Sequence, residues 1–129
     1  PLADRINAFK PLRAVHGNID DWDTRGVYPA VQRFTCEGVD VLMTHICGYP
    51  GKYDPKVRKI LEYSAPKLVI GGHSHILKVI YDKKFNCLHM NPGAAGISGF
   101  HTLRTALRFE IDQGDIKNLE IWEFAKRIS

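Results

Sequence analysis

The sequence predicts an α/β (α+β) fold, a layered β-sandwich flanked by helices. Three observations carry this prediction. Apolar runs of strand length alternate with helical segments in the first part of the chain, and from residue 76 the pattern turns to strands joined by tight turns. The 129 residues are 44% hydrophobic, enough for one core, and no internal repeat, low-complexity tract or linker divides them. One domain spanning residues 1–129 is therefore expected.

Taken in order, Leu2, Ile6 and Phe9 recur at helical spacing, which predicts a short helix over 2–10 that Pro11 closes. Leu12–Val15 is a strand candidate running into His16-Gly17-Asn18. Arg33–Cys36 and Val39–Thr44 read as two strands joined by Glu37-Gly38, the second ending at His45. Residues 46–51 are rich in turn formers. Asp54-Pro55 then opens a helix, with Asp as N-cap and Pro at the first helical position. Val57, Ile60, Leu61 and Ser64 form its inward face, and Pro66 ends it. Lys67–Ile70 is an apolar strand that leads into Gly71-Gly72-His73-Ser74-His75. Four more strands follow: Ile76–Tyr81, Phe85–Met90, Thr102–Ile111 and Ile116–Phe124, with turns at Asp82-Lys83-Lys84 and Gln113-Gly114.

Three strand ends thus finish in a potential metal ligand: Asn18, His45, and His73 with His75. Neutral imidazoles and an amide oxygen suit divalent ions such as Mn2+, Zn2+, Fe2+ or Ni2+. In an extended segment His73 and His75 point to one side, and Gly71-Gly72 leaves room for close backbone approach. Any one of these histidines alone is more simply a surface or hydrogen-bonded residue. Their joint placement points to a metal centre.

Composition excludes several classes. No stretch approaches the roughly 18 apolar residues of a membrane span, and the first residues have no basic-then-apolar leader, so a cytoplasmic protein is expected. The net charge of +4 comes from scattered basic residues. That argues against nucleic-acid binding and is compatible with a small phosphate-bearing substrate. Cys36, Cys47 and Cys87 form no CxxC pair and read as reduced core thiols. The oligomeric state, a homo-oligomer included, is left open.

The ordered set HGNID, THICG, GGHSH and NPG resembles the calcineurin-like metallophosphoesterases, most closely their small bacterial phosphodiesterase branch. The resemblance covers essentially the whole chain. It implies a metallophosphoesterase-like sandwich and a site with two divalent ions, Mn2+ foremost, acting on a phosphodiester or other phosphate ester. It assigns Asn18, His45 and His73 to one metal and His75 to the other. Asp20 fills a position that orients a neighbouring ligand. The DxH and GDxxD motifs that supply the family's aspartates are not found upstream of His16, so the chain reads as the C-terminal part of a longer domain whose first strands are missing, inactive by itself. Ile19 stands where many members have a histidine that protonates the leaving group, and His16 is the candidate replacement acid. Asn91 in the NPG turn, His101 and Arg104 are candidates to touch the substrate, although a structural turn role comes first for Asn91 and an ordinary strand role suits Arg104 better. The neighbouring Asp21 and Asp23 read as solvated loop residues.

Two rivals remain. The same fold includes a retromer subunit that serves as an assembly component, so a catalytically inactive protein-binding scaffold is the alternative. A single structural metal held by Asn18, His45 and His73 is the other, disfavoured by the lack of a negative ligand.

Overall fold

The computed structural model describes residues 13, 15, 29–94, 96 and 103–125. The predicted helix over 2–10 lies outside the described residues. Arg13 and Val15, in the predicted strand 12–15, are not part of a strand. The Arg13 guanidinium instead lies 4.7 Å from the centroid of the Phe34 ring.

The described elements are β1 (Val31–Cys36), β2 (Val39–Ile46), β3 (Gly48–Tyr49), β4 (Lys52–Tyr53), α1 (Pro55–Ser64), β5 (Leu68–Gly72), β6 (Leu77–Asp82), β7 (Cys87–Pro92), β8 (Leu103–Asp112) and β9 (Asp115–Ala125). Five of the strands form a mixed sheet in the order β1-β2-β5-β7-β6, while β8 and β9 pair as a separate hairpin. The three central strands β2, β5 and β7 run parallel, and the edge strands β1 and β6 run antiparallel to their neighbours. A layered mixed fold is thus observed, with one helix among the described residues. No helix among them is long and apolar enough to cross a membrane.

Alternation along the strands sorts the core into two layers. Leu42, Val69 and Cys87 face α1, where they pack with Cys47, Val57 and Leu61. Val39, Val41, Leu68 and Met90 face the hairpin and receive Leu107, Phe109, Ile111 and Ile116. Each such aliphatic side chain removed from water contributes about 1.5–3 kcal/mol before the entropy of ordering is counted.

Local chemistry sets the boundaries of these elements. Asp54 caps α1 by accepting from the Lys56 N–H at 3.1 Å, with Pro55 at the first helical position. Pro66 forces Ala65 into an extended conformation (φ −69°, ψ 131°) and stops the helix. Val57 and Leu61 are buried as expected, and Ile60 is half-buried, but Ser64 is exposed. Its carbonyl accepts from Arg33 at 2.7 Å, and Arg33 also grips Asp40 through both carboxylate oxygens (3.0 and 2.6 Å). This tie between the first hairpin and α1 is partly solvated, so it is worth at most about 1 kcal/mol. Glu37-Gly38 and Gln113-Gly114 are left-handed at both residues, as two-residue hairpin turns require. The turn-rich segment 46–51 holds more structure than its composition predicts: Pro50-Gly51 closes the miniature hairpin β3–β4.

Two further features bear on the site. Gly71 is needed for packing, because a Cβ there would lie 2.1 Å from the Cβ of Cys47. His89 on β7 is fully buried, edge-on to Tyr49 and Tyr53 with ring centroids 5.9 and 6.0 Å away. Its Nδ1 lies 3.9 Å from Cys47 Sγ, and its Nε2 has no hydrogen-bond partner among the described residues. Burial, aided by the charge of Lys78 and opposed by Asp82, lowers its pKa from 6.5 to about 4.

Two predictions follow from this packing. Replacing Gly71 by Ala forces the β2 and β5 ends apart, with an expected loss of about 2–3 kcal/mol in urea unfolding. A loss below about 0.5 kcal/mol, the range of an ordinary surface substitution, would contradict the contact. For His89, the unfolded chain binds a proton that the folded chain refuses, so its contribution is complete above pH 6.5 and disappears as pH falls towards 4. On the order of 3 kcal/mol is expected to be lost across that window. Unfolding titrations of His89→Phe should show a flatter acid limb than wild type; an identical limb would show that another group governs it.

Candidate metal site

Because β2, β5 and β7 are parallel, their C-terminal ends open on one edge of the sheet, and His45, the GGHSH loop and Asn91-Pro92 all lie there. The pairing of β2 with β5 breaks register at this edge: Thr44 faces Gly71 and Ile46 faces Gly72, leaving His45 as the extra residue of a bulge. A bulge re-aims the side chain it carries. His45 Nε2 consequently lies 3.2 Å from His73 Nδ1, with the rings nearly perpendicular at 79°.

That separation allows one ring N–H to donate to the other ring's lone pair. It also fits two ligands on one ion, since bonds of 2.0–2.1 Å in tetrahedral geometry set the nitrogens about 3.3–3.4 Å apart. His45 is half-buried and His73 exposed, so the pair has a sheltered side and an open side. Among the described residues no group of three or more His, Cys, Asp or Glu is placed to hold an ion. Burial pushes the neighbouring Cys47 thiol up to about 12, with Cys87 and Asp54 adding to the effect. Without a metal, Cys47 is therefore a protonated core thiol.

The loop that carries His73 and His75 differs from the extended segment predicted. β5 ends at Gly72, and both histidines adopt left-handed backbone, φ 73° and 62°. Same-side alternation therefore does not apply to them. A left-handed non-glycine residue costs about 1 kcal/mol or more, so something must hold each one. Gly71 makes room for Cys47, whereas a Cβ on Gly72 would meet only ordinary contacts with His45.

Asn91 is buried, its amide donating to Ser74 Oγ at 3.0 Å and to the Gly72 carbonyl at 3.4 Å, while its own oxygen accepts from Gly93 N at 3.0 Å. Arg104 lies in the β8–β9 hairpin, where its Nε donates to the Ala125 carbonyl at 2.9 Å and its guanidinium stands 5.7 Å from the Phe124 ring centroid. His16, Asn18, Asp20 and His101 lie outside the described residues. The sequence reading missed Tyr49, Ser74 and His89. Period-two alternation could have shown that Cys87, His89 and Asn91 share one face.

Residues 1–114 match the calcineurin-like phosphoesterase superfamily domain. No curated protein sequence matches the chain significantly. Similar solved structures include the Thermotoga maritima protein TM1076, 24% identical with TM-score 0.67, over 95% of this chain and 73% of that one. Vps29 of Entamoeba histolytica, solved in complex with Zn2+, is 13% identical with TM-score 0.64, over 90% of this chain and 69% of that one. A structure described as a novel archaeal phosphodiesterase is 16% identical with TM-score 0.59, over 91% of this chain and 74% of that one. These likenesses speak to the fold, and the match over residues 1–114 decides the family: the chain belongs to the calcineurin-like phosphoesterase superfamily.

Proposed function

We propose that this domain forms part of a metal-dependent phosphoesterase that hydrolyses phosphodiesters. The observation that carries the reading is the facing of His45 Nε2 and His73 Nδ1 across 3.2 Å at the ends of two parallel strands. In this reading His45 and His73 hold one divalent ion together with Asn18, and His75 serves a second. Bound ions of this kind supply positive charge to the phosphate oxygens and lower the pKa of a bound water. Mn2+ is the first expectation, with Zn2+, Fe2+ and Ni2+ as alternatives.

The remaining roles follow from the chemistry of the side chains. Four neutral ligands do not offset two dications, so the complete site also requires carboxylates, the part that DxH and GDxxD play in the family. Ile19 cannot deliver a proton to a leaving group, which favours diesters with good leaving groups or help from His16, oriented by Asp20. His101 remains a candidate to meet the phosphate. The bonds that Arg104 makes within its hairpin suit a strand role instead.

One observation favours the scaffold alternative. The hairpin exposes Leu103, Ile121, Trp122 and Phe124, each more than 40% accessible, as a protein-binding surface would. Vps29 shares the fold.

The test measures the full-length gene product, with metal content by mass spectrometry and turnover of a chromogenic phosphodiester in Mn2+. Close to two ions per chain and a fall in kcat/KM of at least about a hundredfold in His73→Ala are expected. Unchanged turnover in that variant would contradict the enzyme reading. A metal-independent partner complex with no hydrolysis would favour the scaffold.

A further inference from the structure

Ser74 sits between the two histidines of the GGHSH loop, and its hydroxyl is bonded to three other residues. Ser74 Oγ accepts from Asn91 Nδ2 at 3.0 Å and from the Ile76 backbone N–H at 3.3 Å, which fills its two lone pairs and leaves its own O–H to donate to the Tyr49 hydroxyl. Tyr49 and Asn91 are themselves anchored. Asn91 is buried on β7 and reaches the Gly72 carbonyl as well. The Tyr49 ring lies against buried His89 and under the ammonium of Lys78, 4.5 Å from the ring centroid. Two rigid supports from different parts of the chain, the β3–β4 hairpin and the end of β7, thus converge on one exposed serine. On either side of that serine stand His73 and His75 in left-handed backbone.

We propose that Tyr49 and Asn91 are positioning residues which act through Ser74 to hold His73 and His75 in the left-handed conformation that presents them to metal. The proposal rests on the metal-site reading above and deepens it. Neither Tyr49 nor Asn91 needs to touch metal or substrate for this role. The brace accounts for a conformation that histidine does not favour, and it gives the Asn91 amide a use other than substrate contact. Outer partners that orient metal ligands typically change metal affinity by 10–100-fold when removed.

The experiment compares wild type with Ser74→Ala, Ser74→Thr and Tyr49→Phe in the full-length gene product. Ser74 is exposed, and Tyr49→Phe keeps the ring, so the variants are expected to fold. Two readouts are taken: the three-bond HN–Hα couplings of His73 and His75 in the metal-free protein, and Zn2+ affinity by calorimetry. Ser74→Ala and Tyr49→Phe are expected to shift the couplings and to weaken Zn2+ binding by about tenfold or more. Ser74→Thr, which keeps the hydroxyl, restores both. Wild-type couplings and wild-type affinity in Ser74→Ala would overturn the proposal, as would couplings that stay unchanged while affinity falls. If wild type binds no Zn2+, or His73→Ala binds it as wild type does, the metal-site reading fails; the couplings still decide whether the brace sets the loop.

Discussion

At Gly71 the backbone of β5 runs so close to Cys47 that one added carbon would sit 2.1 Å from the cysteine Cβ, and the rest of the site depends on that closeness. Cys47 follows β2 directly, so the contact holds the ends of β2 and β5 together where each delivers a histidine. The pairing breaks register just before it, and the extra residue is His45. A bulge alone would turn His45, and a close approach alone would bring the strands together. Only the two in combination set the imidazole nitrogens 3.2 Å apart.

Around this contact the fold keeps its polar groups neutral. The Cys47 thiol stays protonated because it is buried, and His89, whose ring stands edge-on to Tyr49 and Tyr53, stays unprotonated chiefly for the same reason. Charge on either group would cost desolvation, which for His89 the carboxylate of Asp82 offsets only in part. The neutral floor of the site therefore contrasts with its open side, where His73 is exposed. Such a layout shields one side of the histidine pair while leaving the other accessible, which suits the open site of the proposed metal centre.

Much of this was legible in the sequence, for identifiable reasons. The strands ending at His45 and before His73 are apolar runs cut off by turn formers, and Asp54-Pro55 and Pro66 bracket the helix through local backbone chemistry. These signals need only neighbouring residues. The His45 bulge was not legible, because it is a mismatch between two strands whose register depends on distant packing. The left-handed backbone at His73 and His75 was hidden for a similar reason. It is supported by side chains from residues 49 and 91, and nothing local in GGHSH announces it. The packing role of Gly71 was hidden too, because the cysteine it makes room for lies on a different strand end.

The central claim is that His45 and His73 share one metal ion. Nitrogen-15 NMR of the histidine-labelled full-length protein during Zn2+ titration tests it most directly, because it reads each ring nitrogen separately. The account predicts that His45 Nε2 and His73 Nδ1 shift together, in step and saturating at the same metal equivalent. Zn2+-induced shifts at only one of the two rings, or saturation at different equivalents, would contradict it.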